Sequence, residues 1–141
     1  MKAANLKYDD IKEGEVYTFK RKIIRSDVMA FAGLSGDFNP LLVDEEFGSK
    51  SQFRRNIVHG MLAGSFFSAL VGMYCPGEKC LYLNQTLNFK APLFYDDEVE
   101  IRGTVMNKSD GIKLITLKTE ILKEGDVKIF GEAKVRVIDN E

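Results

Sequence analysis

The chain has 141 residues, of which 45% are hydrophobic and 29% are charged, and its formal net charge is −1. This length fits one domain, spanning residues 1–141, that is large enough for a single hydrophobic core. The composition excludes a disordered chain, and the balance of charges excludes the basic excess expected of a nucleic-acid-binding protein.

The first predicted elements are a strand and a short helix. Residues 16–24 mix β-branched and aromatic residues with basic ones, a composition typical of a strand. Ser26 and Asp27 predict the start of a helix over residues 26–34, as an N-cap and a first-turn acid. The helix is expected to stop before Pro40, because the residue preceding a proline is pushed out of the α region.

A solvated, partly helical crossover over residues 42–56 is expected to lead into a long helix over residues 57–74. That segment is apolar on almost every face, as in helices that the rest of a fold encloses. Gly60 and Gly64 lower its helix propensity, so we expect them to allow close approach of another segment. Its glycines, serines and His59 favour a buried helix over a membrane span. Since the N-terminus has no apolar signal segment, we expect a cytoplasmic protein.

The C-terminal half of the chain predicts four strands, over residues 81–90, 98–108, 112–123 and 127–138. Turn-forming residues between the last three strands predict two hairpins. Together the elements, which include a four-stranded antiparallel meander, predict an α+β fold in which a curved antiparallel sheet wraps around the long helix. The edges of such a sheet favour pairing with a second chain.

The two cysteines, Cys75 and Cys80, lie five positions apart. This spacing differs from that of a CxxC redox pair, and too few ligands are present for a Cys/His zinc site. We therefore expect two ordinary thiols in a reducing compartment, and no metal site.

Two polar motifs flank the crossover. The first reads DFNP at residues 37–40 and supplies a carboxylate and an amide in a turn-prone segment. The second reads HGM at residues 59–61 and contains the only histidine of the chain. If the fold brings them together at the mouth of the long helix, they form a candidate active site.

The paired motifs SGDFNPLLVD and IVHGML, with FKAPLFYDDEV after the long helix, resemble the MaoC-like (R)-specific enoyl-CoA hydratases. The resemblance extends from about residue 16 to the C-terminus. It implies the hot-dog fold, a homodimer and a role in fatty acid metabolism. The implied reaction is the reversible addition of water to a trans-2-enoyl thioester. No cofactor is implied beyond the coenzyme A or acyl carrier protein that bears the substrate.

The resemblance also implies roles for three residues. Asp37 matches the catalytic aspartate, which acts on the attacking water, and Asn39 matches an asparagine that positions groups in the site. Gly60 matches the glycine whose backbone N–H contributes to the oxyanion hole. The alternatives from the residues alone are local: Asp37 and Asn39 are also ordinary turn residues, and Gly60 is also a packing glycine.

Leu42, His59 and Met61 are expected to border the bound substrate. For His59 we favour a structural role, in which a ring hydrogen bond fixes the start of the long helix, over a role as a base. Lys90 and Arg102 are candidates for contacts with coenzyme A phosphates, although solvated surface charges are the favoured interpretation for both.

One position departs from the family pattern, Asp-x-Asn-Pro-x-His, because Leu42 replaces the histidine. An apolar side chain removes one hydrogen-bond partner of the water, and general acid–base assistance is typically worth about 10²–10⁴-fold in rate. Leu42 therefore predicts an impaired hydratase. The alternatives are a non-catalytic acyl-thioester-binding protein, a subunit of a heteromeric hydratase whose partner has the intact pair and, less favoured, an acyl-CoA thioesterase.

Overall fold

A six-stranded antiparallel sheet curves around one helix in the computed structural model, which describes residues 1–139. The strand order is β1-β4-β5-β6-β2, and the short strand β3 also pairs with β6. The strands are β1 (Val16–Lys22), β2 (Cys80–Gln85), β3 (Asn88–Phe89), β4 (Glu98–Ser109), β5 (Leu114–Lys123) and β6 (Asp126–Val137). β1 and β2 form the two edges.

The predicted meander is correct for β4, β5 and β6 but wrong for the strand that precedes them. The segment predicted as one strand is split into β2 and β3, and both pair with β6 rather than with β4. The split has a local cause at Gly131, where an added Cβ would lie 1.8 Å from the carbonyl oxygen of Thr86. At this close crossing the amide of Thr86 donates to the carbonyl of Glu132.

Three helices connect β1 to the motif HGM: α1 (Arg25–Ser35), α2 (Pro40–Val43) and α3 (Glu45–Lys50). The prediction that Ser26 is the N-cap of α1 is wrong, because Ile24 occupies that position. The cap is supplied from inside the helix by Asp27, whose carboxylate accepts from the amide of Ile24 at 3.0 Å. The same carboxylate pairs with Arg21 of β1 at 2.7 Å, which ties the helix start to the sheet edge.

The long helix runs over residues 60–74, three residues later than predicted, and is called the central helix below. It comprises α4 (Gly60–Gly64), α5 (Phe66–Ala69) and a π-helical turn (Leu70–Tyr74). The two residues before His59 are extended instead, because Ile57 pairs with Phe94 and the amide of Val58 donates to Leu93.

One face of the central helix is exposed, so the prediction that it is enclosed on all sides is wrong for this chain alone. Met61, Ser65 and Ser68 form this face, at the spacing of four and three residues that places side chains on one side of a helix. The opposite face is buried in the core, with Phe67 and Leu70 packed among residues of the sheet. Gly103 of β4 allows Leu70 to approach closely, since an added Cβ would lie 2.8 Å from its Cδ2.

The N-terminal segment, residues 4–11, covers the core at the C-terminal end of the central helix and is called the N-terminal strap below. Tyr8 and Ile11 are buried there beside Cys75, in a second cluster. The amides of Ala4 and Leu6 donate to the carbonyls of Met73 and Pro76 at the end of the central helix. The amide of Tyr8 donates to the carboxylate of Asp139 at 2.7 Å, so the two ends of the described chain are joined.

Both cysteines are free thiols, as predicted. Burial raises the pKa of Cys75 from 9.0 to about 12. Within residues 1–139, no helix is both long enough and apolar enough to cross a membrane.

Candidate functional site

The loop between α1 and α2 carries Asp37 and Asn39, and both side chains organise the loop itself. The amide of Asn39 donates to Asp37 Oδ1 at 3.1 Å, and the amide of Leu41 donates to Asn39 Oδ1 at 3.0 Å. Asn39 is the N-cap of α2, with Pro40 at the first helical position, where proline lacks only a donor that the helix does not use. Both Asp37 and Asn39 are exposed in this chain.

Leu42 lies in α2, where its side chain is buried, with 7% exposure. Its backbone carbonyl accepts a hydrogen bond from the Tyr95 hydroxyl. Burial also raises the pKa of Tyr95, so this hydroxyl stays a donor. The apolar residue that replaces the motif histidine is therefore enclosed in the protein and not directed to solvent.

Asn56 fixes the neighbouring backbone. Its side-chain amide donates to the carbonyls of Leu41 and Asp44 at 2.9 and 2.8 Å, and so links α2 to the start of α3. An added Cβ on Gly48 of α3 would lie 2.5 Å from this amide nitrogen, which shows how closely α3 packs on it.

His59 connects the two motifs. Its ring nitrogen Nε2 lies 3.0 Å from the carbonyl oxygen of Asp37, and its ring meets Phe31 edge-on, with centroids 4.9 Å apart. We predicted that a ring hydrogen bond would fix the start of the central helix, but His59 makes no cap hydrogen bond there. The ring instead holds the loop of Asp37 against the residue that precedes Gly60.

A pocket of about 350 Å³ opens at the start of the central helix. His59, Gly60 and Met61 form one wall, and residues 89–93 with Ile129 form the other. Gly60 permits this arrangement, since an added Cβ would lie 2.7 Å from Cδ1 of Phe89. Gly64 similarly faces Leu87, so the expected close approaches at both glycines are confirmed.

The structure brings the predicted residues together in two groups. His59, Gly60 and Met61 line the pocket, whereas Asp37, Asn39 and Leu42 lie outside its lining. The bond between His59 and the Asp37 carbonyl links the two groups. Their individual roles stay predictions.

The two candidate phosphate contacts differ in location. Lys90 lies in the wall of the pocket. Arg102 lies in a separate charged cleft and pairs with Glu100 at 2.8 Å. Phe89, Tyr95 and Phe31 were not singled out from the sequence; the first two lie in the segment FKAPLFYDDEV, whose resemblance to the family was the available signal.

No group of three histidine, cysteine, aspartate or glutamate side chains within residues 1–139 is placed to hold a metal ion. The pocket wall combines apolar side chains with the polar groups of His59 and Lys90. This lining suits an apolar acyl chain better than a highly charged ligand.

A curved antiparallel sheet wrapped around one helix, with a pocket where that helix begins, defines a hot-dog fold protein. Residues 10–126 match the family described as MaoC like domain, and the chain belongs to that family. The resemblance and the fold class expected from the sequence are both confirmed.

Relatives and solved structures agree with this assignment. The chain is 41% identical over 130 residues to an (R)-specific enoyl-CoA hydratase of Rhodospirillum rubrum, covering 92% of this chain and 90% of that protein. The (R)-hydratase of Aeromonas caviae superposes with a TM-score of 0.87 at 39% identity, covering 90% of this chain and 97% of that one. The R-hydratase PhaJ1 of Pseudomonas aeruginosa gives a TM-score of 0.92 at 29% identity, with coverage of 96% and 87%.

Proposed function

We propose that this chain is an (R)-specific enoyl-CoA hydratase, which adds water reversibly across the double bond of a trans-2-enoyl thioester. Its similarity to relatives of that name over 90% or more of its length supports the proposal. The observation that carries it is the bond between His59 Nε2 and the Asp37 carbonyl, because it brings the carboxylate loop to the residue before Gly60 at the pocket mouth.

In the proposed reaction, Asp37 acts as the general base. One carboxylate oxygen, Oδ1, accepts from the amide of Asn39, and in the described part of the chain Oδ2 has no hydrogen-bond partner. Oδ2 takes a proton from water as the water oxygen bonds to C3 of the substrate. The electron pair of the C2–C3 double bond moves onto the thioester. C2 then receives the proton from the Asp37 carboxyl, which gives the (R)-3-hydroxyacyl product and restores the Asp37 carboxylate.

Gly60 stabilises the negative charge that develops on the thioester oxygen. It is the first residue of α4, where backbone N–H groups have no partner within the helix. Such donors, held in place before the reaction, stabilise an enolate-like transition state without reorganisation. Met61 and Ile129 border the acyl chain in this arrangement.

Leu42 makes the proposed hydratase slow. Its buried apolar side chain can neither hold the water nor share the proton, so Asp37 performs the acid–base steps without a histidine in that position. The cost corresponds to about 10²–10⁴-fold in rate.

Hydration of crotonyl-CoA, followed as loss of enoyl absorbance, tests the proposal. We expect slow turnover by the parent protein, a faster rate for Leu42→His and none above background for Asp37→Asn. An absence of turnover in both the parent and Leu42→His, at high protein concentration and across acyl chain lengths, would exclude hydration.

The buried Leu42 also favours a second candidate function, a non-catalytic acyl-thioester-binding protein or the binding subunit of a heteromeric hydratase. Isothermal titration calorimetry with acyl-CoA, combined with the hydration assay, separates the two candidates. Binding without turnover, together with co-purification of a second hydratase chain, would support this alternative.

A homodimer is part of the proposal, and the β2 edge of the sheet supports it. Leu81 and Leu83 are exposed on this edge strand, and Met61 and Phe89 are exposed near the pocket. A second copy that pairs along β2 would remove an unprotected edge and cover apolar side chains beside the site.

Leu83→Lys tests the dimer, with Val16→Lys as a control matched in exposure on the opposite edge strand. The two native side chains are 51% and 54% exposed. We expect light scattering to show a dimer for the parent and Val16→Lys, and a monomer for Leu83→Lys. Dimers of all three proteins would contradict pairing along β2.

We further propose that coenzyme A or an acyl carrier protein enters the reaction only as part of the substrate, with no separate cofactor. Dialysis against a chelator is expected to leave the hydration rate unchanged. A cytoplasmic location stays a prediction from the sequence.

A further inference from the structure

His59 combines a buried ring with an unsatisfied polar atom. It is the only histidine of the chain and is 3% exposed. Within residues 1–139 its Nδ1 is the one buried side-chain nitrogen or oxygen without a hydrogen-bond partner. Burying such an acceptor costs stability, so a ring that served only to fill space would be better replaced by phenylalanine.

The hydrogen bond of the other ring nitrogen, Nε2, compensates for that cost. A carbonyl oxygen only accepts hydrogen bonds, so Nε2 carries the hydrogen in its contact with the Asp37 carbonyl at 3.0 Å. In the neutral ring Nδ1 is then a lone-pair acceptor. The position of the ring is therefore set by its bond to Asp37 and by its edge contact with Phe31.

The remaining hydrogen bonds of Asp37 are local. Its backbone amide donates to Ser35 Oγ, and its carboxylate accepts from the amide of Asn39. Within the described residues, the bond from His59 is the single hydrogen bond that reaches Asp37 from outside residues 35–39. An exposed loop with only local bonds would not hold its carboxylate at a fixed distance from the central helix.

We propose that His59 is a positioning residue for the hydration described above, on which this inference depends. Its Nε2–H fixes the backbone of Asp37, and its own backbone leads directly into Gly60. One residue thus sets the distance between the base and the oxyanion donor. Because Leu42 removes the histidine of the first motif, this bond carries the alignment that remains.

Misplacement of a reacting group by about 1 Å costs roughly 100-fold in rate. Loss of the Nε2–H donor is therefore expected to lower kcat by about 10- to 100-fold. We expect KM to stay within about threefold, because Gly60, Met61 and the opposite wall of the pocket are unchanged. A residue that only supported the fold would instead lower the fraction of active protein and leave the kcat of the folded part unchanged.

Three substitutions separate the two ring nitrogens. His59→Gln places an amide donor near the position of Nε2, His59→Asn places one near Nδ1, and His59→Phe keeps the ring shape without a donor. We expect Gln to recover most of the kcat that Asn and Phe lose, with folding of each variant checked by urea unfolding. A folded His59→Gln protein as slow as His59→Phe would overturn positioning through Nε2.

Nitrogen-15 NMR of the parent protein tests the geometry without relying on turnover. A single histidine gives one set of ring signals, and we expect the neutral Nε2–H tautomer. A neutral Nδ1–H tautomer would overturn the hydrogen bond itself. Absence of turnover in both the parent and Leu42→His would overturn the hydration proposal, and with it the role of His59 in that reaction, whatever tautomer is observed.

Discussion

Leu42 lies in a short helix whose backbone is fixed on both sides, by Tyr95 at its own carbonyl and by Asn56 at the carbonyl of Leu41. A histidine at this position would therefore be attached to a backbone that is already held in place. We expect Leu42→His to raise the hydration rate by up to about 10²–10⁴-fold. It should also lower the free energy of unfolding by about 1–3 kcal/mol, because a polar ring replaces a buried apolar side chain.

Crotonyl-CoA assays and urea unfolding of the same preparations measure both effects. Leu41→His is the matched control, since it places the imidazole one residue away in the same helix. An equal gain in rate from the control would contradict the importance of position 42.

Gly60 and Gly72 both lie in the central helix but differ in the space around an added Cβ. Gly60→Ala places a methyl group 2.7 Å from the ring of Phe89, whereas nothing lies within 4 Å of a Cβ at Gly72. We expect Gly60→Ala to displace Phe89 and to lower kcat/KM at least tenfold. Gly72→Ala should instead raise the unfolding free energy by about 0.5–1 kcal/mol, with unchanged kinetics. Loss of activity in Gly72→Ala would show that the assay responds to any change in this helix.

At the scale of elements, Asn56 is the residue that holds the crossover together. Asn56→Ala removes the hydrogen bonds to the carbonyls of Leu41 and Asp44. We expect a loss of about 1–3 kcal/mol in the free energy of unfolding, and faster amide hydrogen exchange in α2 and α3. Asn88→Ala, which removes an exposed amide bond to Phe130, is the control and should cost less than about 0.5 kcal/mol.

The elements also show which physical signals the sequence contained. Alternating apolar residues predicted β4, β5 and β6 within two residues at each end, because strand periodicity is a local property. The start of α1 was misplaced at Ser26, since Asp27 caps the helix while it pairs with Arg21 of another element. Which residue caps the start of α1 therefore depends on tertiary contacts, which a local sequence pattern does not contain.

The site was predictable as a pair of motifs but not as a geometry. The resemblance identified Asp37 and Gly60 as partners, 23 positions apart. That the ring of His59 bonds to the backbone of Asp37 depends on how the central helix lies against α1 and the sheet. Similarly, the exposed face at Met61 and Ser65 could not be read from a segment that is apolar almost throughout.

For the whole molecule, the buried cluster around Cys75 makes the free energy of unfolding depend on pH in the alkaline range. Because burial raises the pKa of Cys75 from 9.0 to about 12, the unfolded chain loses this proton at lower pH than the folded protein. The stabilisation is fully present below pH 9 and is lost as pH rises towards 12. The contribution to the slope is at most about 1.4 kcal/mol per pH unit.

Urea unfolding between pH 8 and 11, with reductant present, measures this slope. We expect a shallower decline for Cys75→Ala, although that variant starts from a lower stability because it leaves a cavity. Equal slopes for the parent and Cys75→Ala would show that this thiol does not contribute.

The N-terminal strap has a consequence for the order in which the protein folds. Tyr8 forms hydrogen bonds with three residues that lie 100 or more positions away, Lys108, Asp110 and Asp139. These partners lie at the end of β4, just after it and just after β6, so Tyr8 finds all three only when β4 and β6 are in place, and closing so long a loop is slow. We expect Tyr8→Phe, which removes the bond to Asp110, to speed unfolding and leave the refolding rate nearly unchanged. Stopped-flow kinetics would then identify the strap as the last segment to dock and the first to detach.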